Sequence, residues 1–154
     1  YSLWTRTPEL GLIQRCAQLG VSFVPFSPLA RGVFGTPMAD PANFAPGEFR
    51  ARIPRFHPEN WPHNRAILEA FHAMAKARGF TPAALALAWL LDRAPHILPI
   101  PGTRTPDHLR AWAMAPEIDL TDDDREEIDR LLPIGWAWGD RYDDQQAQTV
   151  ERYS

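Results

Sequence analysis

His96-Ile97-Leu98-Pro99-Ile100-Pro101-Gly102-Thr103-Arg104-Thr105-Pro106 holds a strand, a turn and a helix start in one short run. His96 to Ile100 reads as a strand, although Pro99 demands an edge, a strand end or local irregularity. Gly102 lets the backbone approach a ligand closely, and Thr105-Pro106 opens a helix. Free N–H groups and the positive dipole end at that helix start make an anion site, and Arg104 on the lip could add a bidentate phosphate contact. The same pattern describes a plain capped turn equally well, because strand-to-helix turns with glycine are common.

Upstream, Thr81-Pro82 starts a helix from Ala83 to Arg93, apolar nearly all round between Leu85 and Leu91 and therefore expected to be buried. Before it, His63 to Arg78 has amphipathic spacing that buries Ile67, Leu68, Phe71, Met74 and Ala75. Residues 27–61 resist assignment, since prolines at 28, 37, 41, 46, 54 and 58 break any longer element. A loop of that length inside a domain is uncommon and often functional. Val21 to Phe26 is β-branched and aromatic, a strand. Thr7-Pro8-Glu9 signals a helix start with Ile13, Cys16, Ala17 and Leu19 in helical spacing and Gly20 as its stop. Tyr1 to Trp4 reads as the tail of a strand.

Downstream, the helix opened by Thr105-Pro106 should run to about Ala115. Thr121 caps another helix with Ile128, Leu131 and Leu132 inward, and a polar tail follows over 133–154 with Trp136, Trp138 and Tyr142. Strands alternating with helices imply right-handed crossovers and a parallel sheet, hence an α/β fold. Two strands and a stub make a poor sheet with an exposed edge, so the expectation is an arc of something larger. An opening at Tyr1 on strand-like residues agrees with a chain cut from a longer one.

The 154 residues are 45% hydrophobic and 23% charged with a net charge of −3, the balance of an ordinary globular domain. That charge gives no footprint for nucleic acid or an anionic membrane, and no apolar run is long enough to span a bilayer. A lone cysteine, Cys16, and an opening without a secretory lead point to the cytoplasm. The 16 prolines sit mostly at helix starts and in the long loop.

A second ligand signal is Phe26-Ser27-Pro28-Leu29-Ala30-Arg31-Gly32, again at a strand's C-terminal end, where β/α barrels bind ligands. Phe26 could stack on a flat ring and Ser27 could hydrogen-bond; by itself the stretch also reads as a core aromatic and a turn. Other residues carry less. His57 and His63 lack partners at metal-ligand spacing, so no metal site is expected. Asp122-Asp123-Asp124 suits a helix N-terminus, Arg50, Arg52 and Arg55 read as solvated loop residues, and Cys16 reads as a small core hydrophobe. Trp136 and Trp138 are open between packing and walling a pocket.

Taken together, these segments resemble the aldo-keto reductase family in order along essentially the whole chain. Tyr1-Ser2-Leu3-Trp4-Thr5-Arg6 is similar to its sixth-strand motif, Phe23 to Gly32 to its seventh and Ile100-Pro101-Gly102-Thr103-Arg104 to its eighth. Pro54 to Asn60 and Thr81 to Leu91 resemble stretches of bacterial, fungal and plant members, and Gly139-Asp140-Arg141-Tyr142 the tail of one subgroup. The resemblance implies the C-terminal part of an eight-stranded β/α (TIM) barrel, about strands six to eight with their helices, binding NADPH across its C-terminal face. Phe26 would stack on the nicotinamide where the family usually has tyrosine. Ser27, Pro28, Leu29 and Arg31 would line the pyrophosphate, Gly102 and Thr103 would contact the adenosine phosphate, and Arg104 would meet the 2′-phosphate. His108 stands where many relatives have a second phosphate-binding arginine, and Ala111-Trp112 where the family commonly has Glu-Asn near the adenine.

The family's catalytic aspartate, tyrosine, lysine and histidine lie on the barrel's first half, and none of Tyr1, Tyr142 and Tyr153 maps to that tyrosine. No catalytic residue is assigned. Three readings follow, in order of preference. The chain is the cofactor-binding half of an NADPH-dependent reductase of small carbonyl compounds, inactive without its missing half. It is a non-catalytic dinucleotide-binding module. Or copies associate through exposed barrel edges.

Overall fold

The computed structural model describes residues 1–148. Tyr153 and the end of the 133–154 tail lie outside them. The helices α1 (Leu12–Leu19), α2 (Trp61–Ala77), α3 (Pro82–Arg93), α4 (Pro106–Trp112), α5 (Asp122–Leu131) and α6 (Asp144–Ala147) are joined by short 3₁₀ turns. α3 is the centre of the packing, contacting α2, α4 and the turn Ala115–Glu117, while α5 lies against α2. Its nearly continuous apolar run explains this: Ala84 to Leu90 are all buried, with Trp89 1% exposed. Leu68, Phe71 and Ala75 of α2 meet it on one stripe.

The two expected strands do run parallel, but they touch at single bridges, Phe23 to Ile97 and Phe26 to Ile100, and not in a ladder. Pro25 explains the correction: it lacks the N–H that would donate across the pair between the bonds made by Leu98 and Ile100. What survives is Phe23 N–H to His96 carbonyl at 2.8 Å, Leu98 N–H to Phe23 carbonyl at 2.9 Å and Ile100 N–H to Pro25 carbonyl at 3.4 Å. The stub lies beside them, with Tyr1 nitrogen 3.4 Å from the Phe26 carbonyl. Side chains alternate across this pair. Ile97 and Pro25 are buried on the helix side, whereas Val24, Phe26, Leu98 and Ile100 face away and are 51%, 49%, 50% and 55% exposed. A parallel arrangement with apolar groups on both faces is ordinarily covered on both, and here one of the two is bare.

Other expectations need correction. Thr7 does not cap a helix; Thr7–Leu10 is a 3₁₀ turn, Gly11 breaks it at φ 130°, and α1 begins at Leu12. Cys16 is half-buried and not core, because α1 lies at the surface with Ile13 as its buried residue. α4 stops at Trp112, short of Ala115, where a 3₁₀ turn takes over. The expected caps at Thr81, Thr105 and Thr121 each accept the backbone N–H three residues on. No helix among the described residues is long and apolar enough to cross a membrane.

Candidate functional site

A parallel bridge at Phe26 and Ile100 makes the two following turns leave at the same end, which brings the two candidate segments together. Ser27, Pro28, Leu29 and Arg31 from one turn and Gly102, Thr103, Arg104 and His108 from the other line a single groove of about 700 Å³. The long loop supplies its other wall through Gly35, Met38, Asp40, Phe44 and Arg50, and Ala111 and Trp112 also line it. Phe26 lies in an adjoining cavity of about 30 Å³ that shares Ser27 and Arg31 with the groove. All nine predicted positions therefore fall along one continuous end of the molecule.

The backbone at this place is strained. Ser27, Ala30 and Arg31 have φ of 55°, 50° and 61°, the positive-φ non-glycine positions among the described residues. Each such residue costs free energy, and such residues gather where geometry serves a ligand. The loop facing them is no loose coil: Val33, Phe34, Ile53 and Phe56 are buried, and His72 Nε2 lies 2.8 Å from the Val33 carbonyl. Burial holds the His72 imidazole below its ordinary pKa, keeping it neutral against that carbonyl.

Charges in the groove differ in how they are engaged. Asp40 is used by Ala42 N–H at 2.9 Å and by Arg65 at 3.4 Å, and Glu48 is bonded to Arg50. That Arg50 contact is the first reason the Glu48 carboxyl sits below its ordinary pKa, with Arg104 a smaller contributor through space. Arg50 also bonds the Arg31 carbonyl at 3.2 Å and lies over the Phe44 ring. Arg104 is exposed with no hydrogen bond or ion pair among the described residues, a cation open to an anion. On the groove wall, the Trp112 indole N–H is buried without a partner.

Of Arg50, Arg52 and Arg55, Arg52 is solvated as expected, with 53% of its side chain exposed, whereas Arg50 and Arg55 are partly buried. Arg52 pairs with Asp143 at 2.8 Å, and Arg55 points inward, bonded to the Trp4 carbonyl, to Thr5 Oγ1 at 3.0 Å and to the Gly139 carbonyl at 3.3 Å. Burial first, and Arg141 second, push the Arg55 pKa down to about 10. Trp136 is packing: it is 9% exposed, donates to the Leu3 carbonyl at 2.6 Å and stacks near Trp4. Trp138 lies against the His63 ring at 4.2 Å. Tyr1 is no general acid, since its hydroxyl donates to Glu9 at 2.9 Å and burial, then Glu9, push its pKa up.

One structural residue escaped the sequence reading. Asn64 is fully buried and ties three segments: its Nδ2 donates to the Arg55 and Trp138 carbonyls, both at 2.9 Å, and its Oδ1 accepts Trp138 N–H at 2.8 Å. The available signal was an asparagine on the apolar stripe of α2, in helical register with Leu68 and Phe71. Beside it, Gly139 has φ 85°, and a Cβ there would lie 2.5 Å from Asn60 Nδ2 and 3.0 Å from the Pro54 carbonyl carbon. Gly139→Ala is expected to lose about 1–2 kcal/mol from the left-handed backbone alone. A thermal midpoint equal to the parent's would contradict this.

A model of the aldo/keto reductase family matches residues 1–133. The chain belongs to that family. Over 142 residues it is 39% identical to a probable aldo-keto reductase 1 of Glycine max, covering 92% of this chain and 41% of that protein. Among solved structures it resembles an aldo-keto reductase of Klebsiella pneumoniae in complex with NADPH at 28% identity and a TM-score of 0.59, covering 93% of this chain and 40% of that one. The glycerol dehydrogenase of Gluconobacter oxydans shares the fold at a TM-score of 0.77 and 24% identity, over 86% of this chain and 40% of its own. This aldo/keto reductase chain thus spans about two fifths of the length of the relatives it matches. Membership places it within a β/α barrel architecture, of which the described residues hold a helix-rich part.

Proposed function

We propose that the chain is the cofactor-binding part, strands six to eight with their helices, of an NADPH-dependent reductase of aldehydes or ketones. It would be inactive without a part carrying the family's catalytic aspartate, tyrosine, lysine and histidine. The observation that carries this reading is the single groove on which Ser27, Pro28, Leu29, Arg31, Gly102, Thr103, Arg104 and His108 converge. Its size falls in the usual range for small-molecule and cofactor sites, and the open guanidinium of Arg104 on its rim suits a phosphate monoester. The bare apolar face of Val24, Leu98 and Ile100 supports the second half of the proposal, because the rest of a barrel would cover it.

In this reading Phe26 presents a π-face to the nicotinamide, Ser27 and Arg31 hold the pyrophosphate, and Arg104 holds the 2′-phosphate. Bound NADPH would supply the hydride for carbonyl reduction. Arg104 makes the expected choice of NADPH over NADH, with His108 a weaker anion ligand nearby.

Titration of the folded chain with NADPH, followed by cofactor fluorescence, tests this. Arg104→Gln is expected to weaken NADPH by roughly tenfold or more, the value of a charge-assisted contact, while leaving NADH nearly unchanged. Absence of NADPH binding up to millimolar concentration, in chain shown to be folded, would reject the proposal.

A further inference from the structure

The long loop holds Arg31 from two directions. Its backbone sits at φ 61°, a left-handed conformation that a residue with a side chain keeps only under outside constraint. Arg50 supplies one constraint, donating from Nη1 to the Arg31 carbonyl at 3.2 Å. Arg50 is itself fixed. It bonds Glu48 and lies 4.3 Å from the centroid of the Phe44 ring, and that ring meets the buried Phe56 edge-on at 5.1 Å. The hold therefore runs back to the core. Phe49 supplies the second constraint, because the Arg31 guanidinium carbon lies over its ring, 5.2 Å from the centroid. That contact uses the charge and leaves the donors for a ligand: the guanidinium makes no hydrogen bond or ion pair among the described residues.

Resting on the reductase reading above, we infer that residues 44–50 form a clamp in which Phe49 is a positioning residue, aiming the Arg31 charge at a diphosphate in the groove. Arg31, Phe44 and Arg50 line that groove, whereas Phe49 lines neither it nor the adjoining cavity. Phe49 therefore acts through Arg31 and not by touching the ligand. It is 45% exposed and outside the hydrophobic cluster, so its ring does not serve to fill the interior. Fixing a long side chain before the ligand arrives removes an ordering cost that binding would otherwise carry. A guanidinium gains most from this, since its forked donors must meet two oxygens together. Arg104 has no ring contact among the described residues and serves as the internal control.

The test uses the whole chain and two probes, NADPH and ADP, the second carrying a diphosphate without nicotinamide or 2′-phosphate. F49L removes the π-face and keeps an apolar side chain. It is expected to weaken both probes about threefold, the worth of an exposed cation–π contact. F49Y should restore the parent affinity. R31Q should weaken both about tenfold, and F49L/R31Q no further than R31Q alone, because the ring has no other route to the ligand. Without any ligand, the Arg31 Nε–H resonance should shift in F49L and stay in F49Y. R104Q should weaken NADPH, leave ADP unchanged, and add its loss to that of F49L. Additive losses in F49L/R31Q, or parent affinity in either F49L or R31Q, overturns the clamp. ADP binding in the expected pattern without NADPH binding sinks the reductase reading alone. NADPH binding with additive losses sinks the clamp alone, and binding of neither probe sinks both.

Discussion

Arg6→Ala is expected to cost about 3–5 kcal/mol and to lower the thermal midpoint by roughly 10 °C in a domain of this size. Arg6 is only 7% exposed, yet it carries a full charge. It is held by Glu9 at 2.6 and 2.9 Å, by Asp129 at 2.8 Å and by the Leu132 carbonyl at 2.9 Å, and it lies over the Trp89 ring. Burial opposes that charge, but the Glu9 and Asp129 bonds outweigh it and raise the guanidinium pKa. Truncation would strand Glu9, whose side chain is 9% exposed, with Arg93 at 3.6 Å as its remaining cation. It would also uncouple the first turn from the end of α5. Asp129→Asn should cost far less, because that side chain is 46% exposed and its ion pair is screened. Equal losses for the two variants, or no loss for Arg6→Ala, would show that the cluster does not hold the chain ends together.

That cluster also marks where sequence reading stops. α2, α3 and α5 were legible because each carries its own periodicity and, for α3 and α5, its own threonine cap. The groove was legible because both of its turns are local patterns at strand ends, and a parallel pair puts such ends together. Arg6 and Asp129, by contrast, meet across 123 positions, and Asn64 and Trp138 across 74. No local pattern encodes such a pairing. Arg55 was misread for the same reason: a loop arginine looks solvated until Gly139 and Trp4 are seen to close over it. The strands were recognised as extended, with an irregularity expected at Pro99, but the donor missing from the pairing is that of Pro25, which the sequence also displays.

The link between core and groove leads to the second large effect. Phe34 is fully buried in the loop that forms the groove's far wall, edge-on to Phe71 of α2 with ring centroids 5.2 Å apart. It is the neighbour of Val33, whose carbonyl meets His72 on the same helix, so one short stretch fastens the wall to α2. Phe34→Ala should cost about 3–5 kcal/mol, since the cavity it leaves is walled by a helix that cannot collapse into it. The loss should not be uniform. Ser27, Ala30 and Arg31 keep their positive φ only while surrounding contacts impose it, and removing Phe34 releases the segment that follows them. Amide exchange should therefore accelerate in residues 27–40 by more than in α3, and the NADPH affinity proposed for the groove should fall further than that of a variant equally destabilised elsewhere, such as Ile128→Ala. If exchange quickens equally across α3 and the loop, the wall is not fastened through Phe34, and the groove owes its shape to some other contact.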